Sequence, residues 1–337
     1  VLAMRTDPPE VFIDANDPVQ VRFSALVVDP REAPLASNPL QYRWTLCPVE
    51  SNEACLDYET FRTTATADQQ TFLDNLRTVS DGGTAFLEPQ DKNFPPEVAA
   101  TRAAWPYEVT PFDLTLTQSQ TTALASYFLS FNFLGLGMGS LPLAVLDVTG
   151  IDDAITAAKR FTFNIQDVGR AEQTLGIALP YQVCTDENRS DGCVALLPRI
   201  RNTNPTFDRI QVAVGSNAGS TYFDVPGSYR MRAGERIRVN PVMTGDSFES
   251  YQELVTDPGT GAIAARDRIE IISVSWFASV GEVEDDLTTP LFTKGLDTEY
   301  RAPRSVAPSG QPVSIYMVAR DQRGGVAWTN LEVTVDP

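Results

Sequence analysis

The last part of the chain constrains the fold most strongly, because it carries both the alternation and the turn of a β-hairpin. In residues 313–320 every second side chain is Val, Ile, Met or Ala, which is the period of a strand that buries one face. Residues 321–325, Asp-Gln-Arg-Gly-Gly, supply a turn in which glycine tolerates a positive φ. Residues 326–335 again carry spaced apolar side chains and predict the return strand.

A strand with a tryptophan near its middle precedes this hairpin. In residues 272–279, Ile, Val, Trp and Ala alternate with serine and phenylalanine. A tryptophan on a central strand beside a closing hairpin is how several β-sandwiches fill their core. We therefore expect Trp276 to be buried and to pack against the strand at residues 313–319.

The composition indicates an all-β protein with an acidic surface. The 337 residues allow two domains, and 24 Pro with 21 Gly indicate many turns between short strands. Lys and Arg number 26 against 44 Asp and Glu, a net charge of -18, which excludes nucleic acid as an expected partner. The longest apolar run, residues 123–138, is shorter than the roughly 20 residues of a membrane-spanning helix.

The four cysteines indicate the cellular compartment in which the protein is located. Cys47 and Cys55 bracket one short polar loop, and Cys184 and Cys193 bracket another. Zinc is the rival ligand, but the chain has no histidine and neither pair has the spacing of a zinc knuckle. We predict two local disulfides, which implies an oxidising location outside the cytoplasm.

The first half of the chain follows the same order of elements, with an interruption. Strands are predicted at residues 10–13 and 19–28, followed by a strand at 40–46 that contains Trp44. From 48 to about 120 the prolines and the absence of clean alternation predict an insertion of partly helical and partly irregular structure. Within it, residues 68–77 have the spacing of a short helix.

Later segments complete a first domain and begin a second. Residues 121–134 fit both a strand and a helix, and the periodicity leaves the choice open. A hairpin then closes the first domain, which is predicted to span residues 1–167. Residues 168–200 form a connector with the second cysteine loop, and residues 201–337 form the second domain. A short helix is expected at residues 248–255 inside that domain.

The second domain resembles bacterial surface modules of the immunoglobulin-like and PKD-like class. The similarity rests on Ser-Trp-Phe-Ala-Ser-Val-Gly at residues 275–281, on residues 316–325, which end in Asp-x-x-Gly-Gly, and on the closing valine-rich strand. Residues 7–167 match more loosely, and the chain also looks like exported lipoproteins of Gram-negative bacteria. The resemblance implies two immunoglobulin-like β-sandwich domains in tandem, in the periplasm, the outer membrane or at the cell surface. A lipid anchor upstream of residue 1 is the expected form of any membrane attachment.

The residue types available limit the chemistry. Without histidine there is no Ser-His-Asp or Cys-His catalysis, and bridged cysteines leave no thiol nucleophile. Carboxylate pairs remain as potential catalysts of glycoside hydrolysis. The densest acidic cluster is a loop that is either simply solvated or binds calcium, because oxygen ligands gather in such loops. Its members are Glu282, Glu284, Asp285 and Asp286.

Two classes of function follow. Trp105, Tyr107 and Phe112 lie in the insertion, where they form either an aromatic partner-binding surface or a small core that anchors the insertion. The first hypothesis is a non-catalytic structural or interaction subunit that binds other envelope or surface proteins and needs no cofactor, calcium excepted. The alternative is a carbohydrate-binding or carboxylate-based glycoside-processing protein that uses this aromatic insertion. The oligomeric state is left open.

Overall fold

The structure is a computed structural model, and it describes the chain in segments. The described residues are 2–12, 19–28, 41–47, 92–94, 107–116, 139–149, 155–164, 184, 193, 200–215, 221–256, 259, 263–291 and 295–337. Within them the protein is all-β: they contain strands and one 3-10 turn, Gly245–Ser247, and no α-helix. No helix in the described part is long and apolar enough to cross a membrane. The predicted helix at residues 68–77 and the ambiguous segment at 121–134 lie outside the described residues.

Twenty strands follow one another along the described chain. They are β1 (Ala3–Asp7), β2 (Glu10–Phe12), β3 (Val19–Val27), β4 (Gln41–Cys47), β5 (Lys92–Phe94), β6 (Tyr107–Leu116), β7 (Gly139–Thr149), β8 (Ile155–Asn164), β9 (Phe207–Val214), β10 (Phe223–Asp224), β11 (Ser228–Arg232), β12 (Arg236–Met243), β13 (Ser250–Thr256), β14 (Ile263–Ile269), β15 (Ser273–Ala278), β16 (Glu282–Val283), β17 (Leu287–Thr288), β18 (Thr298–Arg301), β19 (Gln311–Arg320) and β20 (Val326–Asp336).

The chain divides into two compact units. Unit 1 consists of Ala3–Asn202 together with Ser250–Arg268, and unit 2 of Thr203–Glu249 together with Ile269–Pro337 and Leu2. The chain therefore leaves unit 2 after Glu249 and returns to it at Ile269. The domain limits that the sequence predicts, 1–167, 168–200 and 201–337, stay predictions.

Unit 1 contains three sheets. One has the order β1-β3-β6, a second has the order β2-β8-β7-β4-β5, and β13 pairs with β14 in a third. The pairing of β2 with β8 is parallel, whereas the other strand pairings described in the first two sheets are antiparallel. Apolar side chains of β1, β2 and β3 supply the described core of this unit, with Phe23 and Ala25 fully buried.

The prediction of an irregular insertion is wrong for its last part. Tyr107–Leu116 is a ten-residue strand, β6, that pairs antiparallel with β3. The register shifts between Phe23 and Ala25, so that Ser24 alone faces two residues of β6, one of which is Pro111. A bulge on the outermost strand of a sheet tolerates a proline that lacks the ladder N–H. The prolines of this segment are therefore the reason why the sequence did not predict β6.

Unit 2 is built from two five-stranded sheets that share one core. The orders are β10-β9-β12-β18-β16 and β11-β20-β19-β15-β17. Three of the four outermost strands, β10, β16 and β17, have two residues each, which leaves little free backbone to pair with another chain. The core cluster draws on both sheets: Val212, Met231, Ile237, Val239, Met243, Ile272, Val274, Trp276, Tyr300, Ala302, Val313, Ile315, Met317, Ala319, Leu331, Val333 and Val335. This is the arrangement of a β-sandwich.

The predicted position of Trp276 is confirmed. Its side chain is 1% exposed, and residue 276 lies opposite Met317 in the antiparallel pairing of β15 with β19. The indole N–H donates to Thr288 Oγ1 at 2.9 Å, and the Thr288 hydroxyl donates to the Leu296 carbonyl at 2.7 Å. The buried indole is therefore satisfied both by apolar contacts and by a hydrogen bond.

The short helix expected at residues 248–255 is wrong. Phe248 follows the 3-10 turn, and Ser250–Thr256 is the strand β13, which pairs with β14. Side chains bond across this pair, since Gln252 donates to Asp267 at 3.0 Å and Arg268 bonds Glu253 at 2.9 Å. Spacing of apolar residues over eight positions cannot reveal a partner strand that lies further along the chain.

Candidate functional site

The Asp-x-x-Gly-Gly turn between β19 and β20 folds around a carboxylate. Asp321 Oδ1 accepts the backbone N–H groups of Arg323 and Gly325, each at 2.8 Å, and the Asp321 N–H donates to the Gly325 carbonyl at 3.1 Å. Gly324 has φ 98°, which favours glycine. A Cβ at Gly325 would collide with the Asp321 carboxylate and would lie 3.0 Å from Pro205 Cδ. The two glycines are thus required by this turn.

The turn projects Arg323 into a group of carboxylates. Arg323 Nη1 lies 3.2 Å from Glu249 Oε2 and 3.4 Å from Glu270 Oε1. Glu270 is only 3% exposed, so its carboxyl is nearly removed from water. We call Glu249, Glu270, Asp321 and Arg323 the junction cluster.

Backbone and hydroxyl contacts hold the junction cluster in place. The Glu270 N–H donates to the Glu249 carbonyl at 2.9 Å, and the Thr203 hydroxyl donates to Glu249 Oε1. The Val326 N–H donates to Asn204 Oδ1 at 2.9 Å. Segments that are far apart in sequence are therefore fixed to one another at the end of unit 2 where β19 meets β20.

The environment of Glu270 changes its acidity. Burial raises the pKa of Glu270 to about 7, and the negative charges of Asp321 and Glu249 act in the same direction. Arg323 opposes this rise, but its positive charge does not cancel it. Glu270 is thus a carboxyl that exchanges its proton near neutral pH. Such a pKa is typical of general acids, but a side chain this deeply buried offers no surface to a substrate.

A second polar cluster joins β12 to the residues that immediately precede β10 and β18. Arg238 donates through Nε to Asp297 Oδ2 at 2.8 Å, and Tyr222 donates to the same oxygen at 2.7 Å. Burial acts to raise the pKa of Asp297, but the hydrogen bonds from Tyr222 and Arg238 outweigh it and hold that pKa below its usual value. A further ion pair joins Arg236 to Glu299 at 2.8 Å. These groups bind one another and form no separate catalytic constellation.

The structure shows one of the two predicted cysteine pairs. The sulfur atoms of Cys184 and Cys193 are bonded at 2.09 Å, with Cα atoms 4.8 Å apart. Cys47 is the last residue of β4, and Cys55 lies outside the described residues, so their pairing stays a prediction.

The predicted aromatic surface is described in part. Tyr107 and Phe112 both belong to β6, where their backbones lie opposite Val27 and Phe23 of β3. Trp105 lies outside the described residues. The proposed role of these three residues in binding a partner stays a prediction.

The acidic loop does not gather its side chains into one group. Glu282 begins β16, and Glu284, Asp285 and Asp286 follow along the chain towards β17. Backbone atoms of this stretch bond neighbouring strands, as when the Trp276 N–H donates to the Asp286 carbonyl at 2.9 Å. In the part of the chain that the structure describes, no three Asp, Glu or Cys side chains converge in a way that could hold a metal ion. Calcium binding here stays untested.

Comparison with known proteins yields no family. No protein-family model matches the chain, and neither does any curated protein. Solved structures similar to it include a nucleoside hydrolase-related hypothetical protein from Saccharophagus degradans that is associated with carbohydrate metabolism, with 10% identity, 79% of this chain covered and a TM-score of 0.22. The chain spans only 53% of that protein.

Two other similar structures come from a streptococcal protein and a bacterial adhesin. The C-terminal domain of the Streptococcus pyogenes antigen I/II-family protein AspA has 8% identity, 99% coverage of both chains and a TM-score of 0.21. A structure from a 1.5-MDa bacterial ice-binding adhesin has 9% identity, coverage of 99% and 97%, and a TM-score of 0.20. Similarities at these TM-scores do not establish a shared fold or a function.

Sequence reasoning missed the junction cluster, although one signal for Glu270 was present. Glu270 is in phase with Ile272, Val274 and Trp276, the buried positions of the tryptophan strand. Its neighbour Ile269 is 66% exposed, the reverse of what polarity alone predicts. An acidic residue on the buried phase of a strand is therefore the signal that identifies this site.

Proposed function

We propose that this protein is a non-catalytic, exported component of the bacterial cell envelope or surface, in which two tandem immunoglobulin-like β-sandwich domains act as scaffold or adhesion modules. The observation that carries the proposal is the construction of unit 2. Its two sheets enclose one apolar core around Trp276, and its outer polar clusters bond strand to strand. Such a module presents a stable surface and loops to partners.

The location outside the cytoplasm is supported by covalent and electrostatic features. The bond between Cys184 and Cys193 belongs to an oxidising compartment. The net charge of -18 opposes association with nucleic acid and with anionic lipid surfaces, which favours proteins as partners. Other envelope or surface proteins are therefore the partners we propose, and no catalytic cofactor is needed.

The partner-binding surface that we propose is the aromatic part of the insertion. Trp105, Tyr107 and Phe112 supply large rigid side chains of the kind that dominate the free energy of protein interfaces. Two of the three, Tyr107 and Phe112, belong to β6, and β6 pairs with β3 in a sheet. Trp105 lies two residues before the start of β6. The binding test below therefore removes the Trp105 side chain.

Affinity capture from envelope extracts with the full chain tests the proposal. We expect specific envelope proteins to bind the wild type, and Trp105→Ala to lose them. The matched control is Phe223→Ala, which removes an exposed aromatic side chain of unit 2 and keeps binding. A glycan array and a polysaccharide hydrolysis assay run in parallel. Hydrolysis at enzyme-like rates, or sugar binding that depends on Trp105, contradicts the scaffold function and supports the carbohydrate-processing alternative.

A further inference from the structure

The residues of the junction cluster belong to unit 2, and two of them, Glu249 and Glu270, flank the β13–β14 hairpin along the chain and form its base. Glu249 precedes the first residue of β13, and Glu270 follows the last residue of β14. The hydrogen bond from the Glu270 N–H to the Glu249 carbonyl bridges the two ends of the hairpin. Arg323 reaches both of their carboxylates, so one cation binds both sides of this base.

The charges at this base do not balance when every carboxyl is ionised. The groups that face Glu270 are Glu249 from the opposite end of the hairpin and Asp321 and Arg323 from the turn between β19 and β20. Two of the three carboxylates pair with one guanidinium, and the charge of the third, Asp321, also acts on Glu270, which is only 3% exposed. A proton on Glu270 removes one negative charge and the cost of burying it.

We propose that the junction cluster is a proton-controlled clasp on the base of the β13–β14 hairpin, closed while Glu270 holds its proton and loosened when Glu270 loses it. With the proton bound, Glu270 is neutral, and the Arg323 guanidinium pairs with the Glu249 carboxylate. When Glu270 has lost its proton, opening the base exposes its carboxylate to water and moves it away from the negative charges of Glu249 and Asp321. This clasp is independent of which partner the protein binds.

The size of the effect follows from proton linkage. The closed state holds the proton with a pKa of about 7, and an opened, hydrated glutamate has the ordinary value of 4.5. Between about pH 6 and about pH 8.5 the equilibrium for opening is then expected to rise roughly tenfold. Acidification reverses the change, because protonation of Glu270 restores the closed state. A protein located outside the cytoplasm experiences such changes of pH directly.

Hydrogen exchange of the full chain tests the clasp. Exchange is measured at about pH 6 and about pH 8.5 in peptides from residues 245–256 and 263–272 and corrected for the intrinsic pH dependence of amide exchange. We expect the corrected exchange of the wild type to rise about tenfold at the higher pH. Glu270→Gln should abolish the rise, and the matched control Glu253→Gln should keep it, because Glu253 pairs with Arg268 on the exposed hairpin.

The wild type alone can overturn the proposal. Its strands β19 and β20 serve as the internal reference, and a pH effect no larger at the hairpin base than in these strands excludes a local clasp. A rise that persists in Glu270→Gln assigns the pH dependence to another group and also contradicts the proposal. If Glu270→Gln does not fold, the comparison of the two wild-type regions still decides.

Discussion

Removing the buried tryptophan of unit 2 is the most direct test of its core. We predict that Trp276→Ala destabilises unit 2 by roughly 3–5 kcal/mol, as expected for the truncation of a large core side chain. Burial of an aromatic side chain removes about 150–250 Å² from water, worth up to about 4–6 kcal/mol at 25 cal/mol per Å². Partial collapse of the cavity and residual structure in the unfolded chain lower that upper bound.

The hydrogen bond of the indole is tested by a separate variant. Thr288→Val keeps the volume of the side chain but removes the acceptor of the Trp276 N–H and the donor to the Leu296 carbonyl. Leaving these buried groups without partners costs about 1–3 kcal/mol. Because both changes act on one hydrogen bond, the double variant should lose less than the sum of the two single losses.

Urea denaturation of the full chain provides the measurement, with hydrogen exchange in residues 311–336 reporting on β19 and β20. The matched control is Trp328→Ala, which removes the same side chain from β20 at a position that is only partly buried. It should cost clearly less than Trp276→Ala. A Trp276→Ala protein that unfolds at the wild-type urea concentration, or equal losses in the two tryptophan variants, refutes the assignment of Trp276 to the centre of the core.

Three further changes test other parts of unit 2 by the same denaturation assay. Because folding raises the pKa of Glu270 from 4.5 to about 7, its contribution is intact below about pH 4.5, and about 3 kcal/mol are lost by the time the pH exceeds 7. Glu270→Gln should remove this loss, and parallel pH profiles for variant and wild type would contradict it. Gly281→Ala should cost about 1–3 kcal/mol, because Gly281 has φ 90° and a Cβ would lie 2.5 Å from Tyr300 Oη, whereas Gly227→Ala, in open space, should be nearly neutral. Asp297→Asn should cost about 1–3 kcal/mol by weakening the charge-assisted hydrogen bonds that Arg238 and Tyr222 donate, and a neutral result would show that this cluster does not stabilise the sheet.

The strands that the sequence identifies best are those whose signal is local. The two long strands of the closing hairpin, β19 and β20, have regularly spaced apolar residues and a clear turn between them, and the structure has strands there. Trp276 could be assigned to the core because its own strand alternates. In these cases the pleat of a single strand contains the information, and no partner has to be known.

Elements that depend on distant partners were missed or assigned wrongly. β6 contains Pro111, which argues against a strand until its place at a bulge opposite β3 is known. β13 shows helical spacing over a short stretch, and the pairing that makes it a strand is with β14. The two-residue strands β10, β16 and β17 are too short for any period to be visible. Tertiary pairing decides these elements, and local propensity does not.

The candidate site shows the same division between local and distant information. Acidic density along the chain pointed to Glu282 and its neighbours, whose side chains do not gather around one point in the described structure. The carboxyl with the altered acidity is instead Glu270, an isolated acidic residue between apolar ones, and its phase relative to Trp276 predicts burial. The position of Glu270 in the alternating pattern cannot predict that Glu249 and Arg323 lie beside it, because they are 21 and 53 residues away along the chain. A buried acid therefore becomes a site only when the fold supplies its neighbours, and the proton equilibrium of Glu270 measures whether those neighbours are in place.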